Sequence, residues 1–436
     1  MFQRPRGTRD FGPAEMARRS ALEHLCDEQA ARHGFQRVAT PTFESLDLFT
    51  AKSGDSVVDE LYAFEDKGGR PLTLRPELTA PVMRMVANEM RQLPKPMRLC
   101  YHGSCFRYEE FKTARYREFW QYGAEIVGAT GPLVEAEVVA FGIALMRAAG
   151  VTDWSVRIGH VGILNDLLAG MSIPDEDRRD VMRLLDKGDF AGLATKGIGV
   201  DAAAQLEAFA SLSGGVEMLP EAQAMLESMD VPTESLQSLS DMLTCLTGLV
   251  PDMPPMAIDL TVARGLDYYT GMVFEFEVDE LKGERQVLGG GSYRLMHLFG
   301  LEELDPCCGF GLGFDRVLIA LERQAERLGR DEVVPGESAG PGSLAVIPFK
   351  IDANAVLPLV AGLRGAGERV LLELRSRNLG RSMGWADSSG AAFALIVGPR
   401  DLEAGEATIK RLSDGEQTQC ALDTSAISAA LETLRG

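Results

Sequence analysis

Cysteine is scarce: the chain has seven in 436 residues, an odd number. Cys26, Cys100, Cys105, Cys245, Cys307, Cys308 and Cys420 form no Cys-x-x-Cys pair, and no nearby histidines complete a metal-ligand spacing. That pattern argues against a disulfide framework and a protein-held metal, and it fits a reducing cytoplasm. No run of about 18 apolar residues occurs, so no membrane span is expected. The opening "MFQRPRGTRDFGP" is charged and lacks the apolar stretch of a signal peptide.

Lysine is sparse beside arginine, and acid dominates, giving a net charge of −20. Such a balance disfavours non-specific attraction to nucleic acid; with so little lysine it is also the composition of a salty cytoplasm, a reading that stability and activity unchanged from low to multimolar salt would overturn. The acidity is uneven. Residues 341–436 hold 10 Lys and Arg against 11 Asp and Glu, about −1, so the first 340 carry about −19. Arg375, Arg377 and Arg381 cluster in that near-neutral part. A solvated face and a phosphate-binding patch are both open readings of them.

A length of 436 residues suggests two or three domains. Apolar periodicity predicts an amphipathic helix over 14–35 and a strand over 36–49 interrupted at Pro41. A strand and helix follow over 71–90, then a strand over 97–110 and a helix over 135–149. Residues 165–255 are helix-rich and acidic and read as an inserted module. A Gly/Pro/Ser-rich linker covers 329–342. Beyond it, strands alternate with helices, as in a small α/β domain. The resulting organisation is a core in two parts, 1–164 and 256–328, an insertion at 165–255, and a C-terminal domain at 343–436.

The segment "RYREFWQYGAEIVG" alternates with period 2. Tyr116, Glu118, Trp120, Tyr122, Ala124 and Ile126 define a mainly apolar face. Arg115, Arg117, Phe119, Gln121, Gly123 and Glu125 define the other. A wet face and a site floor with a glycine gap both fit that pattern. In "LTLRPELTAPVMR", Glu77 and Thr79 offer acceptors for an ammonium group, or Thr79 caps a helix before Pro81. In "CGFGLGFDRVLIAL", Gly309, Gly311 and Gly313 clear one face of a strand, for a flat ligand or for close helix packing. A helix starting near Asp315 would place Arg316 at its first turn. A dinucleotide fingerprint fits poorly, because no βαβ unit surrounds the glycines. Glu77 and Glu125 beside Arg107, Arg264 and Arg316 suit an amino acid together with a nucleoside triphosphate.

These motifs together resemble the class II aminoacyl-tRNA synthetases, and within them the histidyl-tRNA synthetase family. "RGTRDFGP" is similar to the family's opening, and "RVATPTFE" to the dimer-interface motif. "FRYEE" through "RYREFWQYGAE" resembles motif 2, "GFGLGFDR" motif 3, and "RGLDYYTG" the histidine-specific signature. The resemblance covers nearly the whole chain. It implies an α+β fold with an antiparallel sheet flanked by helices, a helical insertion and a C-terminal anticodon-binding domain. It also implies a homodimer that forms histidyl-adenylate from L-histidine and ATP with Mg²⁺, then charges tRNA(His).

By the same resemblance, Arg107 would bind the ATP α-phosphate and Arg316 the γ-phosphate. Arg264 would contact the histidine carboxylate and the α-phosphate. Glu77, Thr79 and Gln121 would hold the α-amino group. Glu125 and Tyr269 would read the imidazole, with Tyr268 and Tyr293 also in the pocket. Lys112, Arg115 and Arg117 would approach the tRNA acceptor end, and Arg375, Arg377 and Arg381 the anticodon or stem. Ser292 and Arg294 stand where the family more often has Arg and Asp. Ala114 replaces a common Gly, and Asp315 a common Glu. The rival is a non-catalytic, histidine-sensing paralogue that regulates a phosphoribosyltransferase of histidine biosynthesis. Such paralogues typically lack the C-terminal domain and lose catalytic motifs, whereas this chain keeps both.

Overall fold

The computed structural model describes residues 2–53, 55–108, 116–262, 269–337, 342–375 and 377–435. They fall into two units, Met1–Glu337 and Ser338–Gly436.

The strands of the first unit are β1 Gln36–Arg37, β2 Phe43–Ser45, β3 Tyr62–Glu65, β4 Pro71–Leu74, β5 Met97–Phe106, β6 Glu118–Val127, β7 Trp154–His160, β8 Ser213–Gly214, β9 Met256–Asp259, β10 Tyr269–Val278, β11 Gln286–Tyr293 and β12 Cys307–Gly313. Its helices include α1 Pro13–Arg32, α2 Asp47–Ser53, α3 Thr79–Glu89 and α4 Pro132–Ala149. Six more, α5 to α10, run between Val161 and Leu249, and α11 spans Phe314–Leu328.

Among the described residues nine strands form one sheet in the order β1-β5-β6-β12-β11-β10-β7-β9-β8. From β5 to β7 every pairing is antiparallel, while β1 and β9 join in parallel at either side.

The strand expected over 36–49 with an interruption at Pro41 is corrected to three elements. β1 belongs to the large sheet, β2 pairs with β4 in a separate sheet, and Asp47 opens α2. Pro41 has no N–H to give a ladder, and the chain changes sheets around it.

Alternation sorts the residues of β6. Tyr122, Ala124 and Ile126 enter a core with Phe310 and Leu312 of β12 and Phe274 and Phe276 of β10. Phe141 and Met146 of α4, Leu22 of α1 and Val317 of α11 seal that face. Pro132 at the first turn of α4 suits its fixed φ, and Gly150 ends the helix at φ 76. Leu239, Met242 and Leu246 of α10 and Leu164 and Leu168 of α5 join the same core, so the helices of 161–249 share the core of the sheet rather than enclosing one of their own. On the opposite face, Leu99, Tyr101, Cys105 and Tyr293 pack with Val82, Met83 and Val86 of α3.

The second unit has β13 Ser343–Pro348, β14 Val370–Leu372, β15 Ala391–Val397, β16 Glu406–Arg411 and β17 Gln417–Ala421, in the order β14-β13-β15-β16-β17. The first three strands in that order are parallel and the last two antiparallel. Val360 and Leu363 of one helix and Ile427 and Leu431 of another cover the core.

Candidate functional site

Gln121, Gly123 and Glu125 share one face of β6, and Gly313, Gly311 and Gly309 of β12 stand directly opposite them. Gly289 and Gly291 of β11 extend two of these rows. On the other side, β5 answers with Gly103, Tyr101 and Leu99. The expected site floor is therefore assembled from four adjacent strands.

The glycines differ in what they make room for. A methyl at Gly123 would lie 2.3 Å from the Tyr101 ring, and one at Gly309 1.8 Å from Oε2 of Glu125. At Gly103 it would meet Nη2 of Arg75 at 2.5 Å. These three spaces are filled by the protein's own side chains. At Gly311 the nearest atom is Nε2 of Gln121 at 3.6 Å, and at Gly313 it is Cδ of Arg316 at 3.4 Å. Room for a flat ligand thus narrows to Gly311 and Gly313.

Glu125 is fully buried. The Tyr101 hydroxyl donates to its Oε1 at 2.7 Å, and the Tyr293 hydroxyl donates to its Oε2 at 2.5 Å. Burial pushes the Glu125 carboxyl up to about 7, against the pull of the two phenols, and the charge of Glu77 adds to the rise. Burial also raises the phenols of Tyr101 and Tyr269, which keeps both protonated as donors. Tyr269 sits opposite Tyr293 in the strand register. Cys105, its thiol pushed up to about 12 by burial, donates to Oε1 of Gln121 at 3.4 Å.

Thr79 is the first residue of α3, and its hydroxyl lies 3.2 Å from that of Tyr101. It does not cap the helix. Glu77 does, accepting from the backbone N–H of Thr79 at 2.5 Å and of Ala80 at 3.1 Å. A carboxylate there satisfies orphan donors and complements the helix dipole. Arg75 gives its guanidinium to the carbonyls of Thr40, Pro41 and Ser104 and serves structure.

Arg107 follows β5 and donates Nε to the carbonyl of Pro76, next to Glu77, at 3.1 Å. Arg316 lies in the first turn of α11, as predicted, and donates to the carbonyl of Gln286 at 2.8 Å. Arg117 stacks over Tyr108 at 4.2 Å. Arg264, Tyr268, Lys112, Arg115 and Ala114 lie outside the described residues. In the second unit, Arg375 and Arg381 are exposed, whereas Arg377 is bound to the buried Glu373 at 2.6 Å. Ser292 faces away from the floor and donates to Glu135 of α4, while Arg294 is exposed.

Sequence reasoning missed Tyr101, which links Thr79 to Glu125. Its signal was a tyrosine alternating with Gly103 along a strand, but only the register with Gly123 gives that meaning.

A glycine-cleared antiparallel floor, an acidic pocket at one end, arginines from a hairpin and a helix start, and a separate α/β unit define a class II aminoacyl-tRNA synthetase. A family model described as histidyl-tRNA synthetase matches residues 7–317, and one described as an anticodon binding domain matches 343–432. The chain belongs to the histidyl-tRNA synthetase family. A histidine–tRNA ligase of Methanocorpusculum labreanum is 40% identical over 439 residues, covering 100% of this chain and 99% of that one. One from Archaeoglobus fulgidus is 42% identical over 421 residues, covering 95% and 96%. The crystal structure of histidyl-tRNA synthetase from Nostoc superposes with a TM-score of 0.82 at 22% identity, over 100% of this chain and 99% of that chain, and shows the same fold. The apo enzyme of S. aureus gives 0.73 at 27% identity over 100% of both chains.

Proposed function

We propose that the chain activates L-histidine with ATP and transfers it to tRNA(His). Buried Glu125, held by two tyrosine hydroxyls beside a cleared floor, is the observation that carries this reading. Each carboxylate oxygen keeps a lone pair beyond its phenol, so an imidazole N–H can still be accepted. A pocket made for such polar pairing rejects apolar analogues by factors that can reach about 10⁴–10⁵.

In the first step a histidine carboxylate oxygen attacks the α-phosphorus. The bond to the oxygen bridging α and β breaks, and pyrophosphate leaves with its electron pair. No protein nucleophile is needed. Alignment alone can supply roughly 7–11 kcal/mol. Arg107 and Arg264 would flank the α-phosphate and Arg316 the γ-phosphate, where planar guanidinium groups pair with two oxygens at once. Glu77, Thr79 and Gln121 would hold the ammonium; Glu125, Tyr269 and Tyr293 would read the ring, with Tyr268 nearby. Mg²⁺ would ride on the nucleotide phosphates and neutralise the departing pyrophosphate. In the second step a terminal ribose hydroxyl of the tRNA attacks the acyl carbon, gives up its proton, and AMP leaves.

By the family resemblance, Lys112, Arg115 and Arg117 would meet the acceptor end. Exposed Arg375 and Arg381 are better placed for RNA than Arg377, which Glu373 already engages. The domain division is that of the sequence reading, with 165–255 as insertion and 343–436 as anticodon domain. A cytoplasmic location is supported by the cysteine usage.

A homodimer is supported by the small sheet β2-β4-β3. Its register puts Phe43, Leu74 and Tyr62 in one row and Phe64 and Leu72 in the next, on one face. Phe43 is 55% and Phe64 43% exposed, an apolar face that a second copy would cover.

Histidine-dependent exchange of pyrophosphate into ATP tests the reading. Exchange is expected with histidine alone among amino acids. Histidine binding without exchange would favour the regulatory paralogue, against which Arg107, Arg316 and the match at 343–432 already weigh.

A further inference from the structure

Asp315, immediately before Arg316, is buried and gathers three chain segments. Its Oδ1 accepts from Nη1 of Arg19 on α1 at 2.7 Å and lies 2.8 Å from Nη2 of Arg9. Its Oδ2 accepts from the backbone N–H of Trp120 on β6 at 2.7 Å. Two guanidinium groups thus share one carboxylate, and aromatic rings take up the excess charge. Arg9 lies over Tyr116 at 3.6 Å, and Arg19 over Phe11 at 4.2 Å and Trp120 at 4.6 Å. Phe11 meets Trp120 edge-on at 5.1 Å.

The same N-terminal stretch reaches the other candidate phosphate arginine. The carbonyl of Gly7 accepts from the backbone N–H of Arg117 at 3.0 Å, and the carbonyl of Arg117 accepts from that of Arg107 at 3.0 Å. Gly7 has φ +83, and a methyl there would lie 2.7 Å from Cγ of Arg117. Only glycine lets the turn close on that side chain.

We infer that Gly7–Phe11 is a positioning strap: through Asp315 and Arg117 it fixes the start of α11 against the foot of β6, and so sets Arg316 relative to Arg107. Arg9 is its positioning residue, and Arg19 of α1 braces the same carboxylate. The inference rests on the adenylation reading, in which those two arginines bracket the triphosphate. The pocket around Glu125 stands apart from it: among the described residues Glu125 is held by Tyr101 and Tyr293 of β5 and β11, whereas Arg9 meets Asp315, Phe11 and Tyr116. Loss of the strap should therefore weaken ATP use while sparing histidine.

The test compares Arg9→Ala, Arg9→Lys and Gly7→Ala with wild type in pyrophosphate exchange, alongside histidine binding by calorimetry without ATP and thermal melting. Arg9→Ala is expected to raise KM for ATP at least tenfold, with the histidine Kd within twofold of wild type. Arg9→Lys should recover part of the loss, since it keeps the charge but not the stacking plane. Gly7→Ala should move in the same direction without any change of charge. Unchanged ATP parameters, or ATP and histidine parameters falling together with the folded fraction, overturn the strap. Should wild type itself show no exchange, the functional reading fails separately. The strap then rests on amide hydrogen exchange at 118–121 and 314–318, which must quicken at least tenfold in Arg9→Ala; unchanged protection overturns it.

Discussion

Tyr101 on β5 donates to Glu125 on β6 at 2.7 Å, and its ring lies over Gly123, where a methyl would sit 2.3 Å away. Two neighbouring strands thus build one acceptor. Tyr101→Phe removes a hydrogen bond to a buried carboxylate, worth about 1.5–3 kcal/mol. KM for histidine should rise about tenfold or more, while KM for ATP stays near wild type. Exchange kinetics at saturating levels of each substrate in turn will show this.

The glycines of β12 should separate fold from ligand. Gly309→Ala places a methyl 1.8 Å from Glu125 and 2.4 Å from a backbone carbonyl, so backbone must move. Overpacking of that kind costs about 1–3 kcal/mol, and thermal melting should reveal it. Gly311→Ala meets nothing closer than 3.6 Å. It should melt like wild type yet raise KM for ATP, if the nucleotide lies on that floor.

Glu125 gives histidine binding and stability opposite pH trends. Its value in the folded chain, about 7, lies above the ordinary 4.5. The folded state therefore holds the proton more tightly, and that contribution is complete below 4.5 and lost as pH rises through 7. Wild-type stability relative to Glu125→Gln should fall across this window, by up to ~3 kcal/mol. Denaturant melts at several pH values measure it. Histidine needs the carboxylate, so its affinity should weaken below pH 7, by about tenfold per unit at most, and calorimetry should find a shallower slope in Glu125→Gln.

The open face of the small sheet predicts a dimer. Phe43→Asp with Phe64→Asp should sediment as a monomer where wild type sediments as a dimer. Exposed on both counts, these residues should change melting little if no partner covers them, and a wild-type monomer would remove the dimer proposal.

Much of this was legible in advance. The period-2 alternation of β6 separated Tyr122, Ala124 and Ile126 from Gln121, Gly123 and Glu125 correctly, because successive strand residues point to opposite faces. Arg316 was placed at a helix start by the glycines before it. Pro41 marked a break, but not that the chain leaves one sheet for another. Of the two readings open for Thr79, the cap fails: Glu77, two residues earlier, reaches the helix N–H groups while the threonine hydroxyl turns to Tyr101.

Local order came from the chain alone: periodicity fixes which residues share a face, and proline and glycine fix where elements end, since both depend on neighbours a few positions away. Tertiary structure decided which faces meet. Strand register put Gly309 opposite Glu125 and Gly123 opposite Tyr101, and it turned the glycines of the floor into two open places, at Gly311 and Gly313, and three filled ones, at Gly103, Gly123 and Gly309. It also brought Arg9 and Arg19 to Asp315, some three hundred positions along the chain, and no local pattern encodes a pairing at that separation.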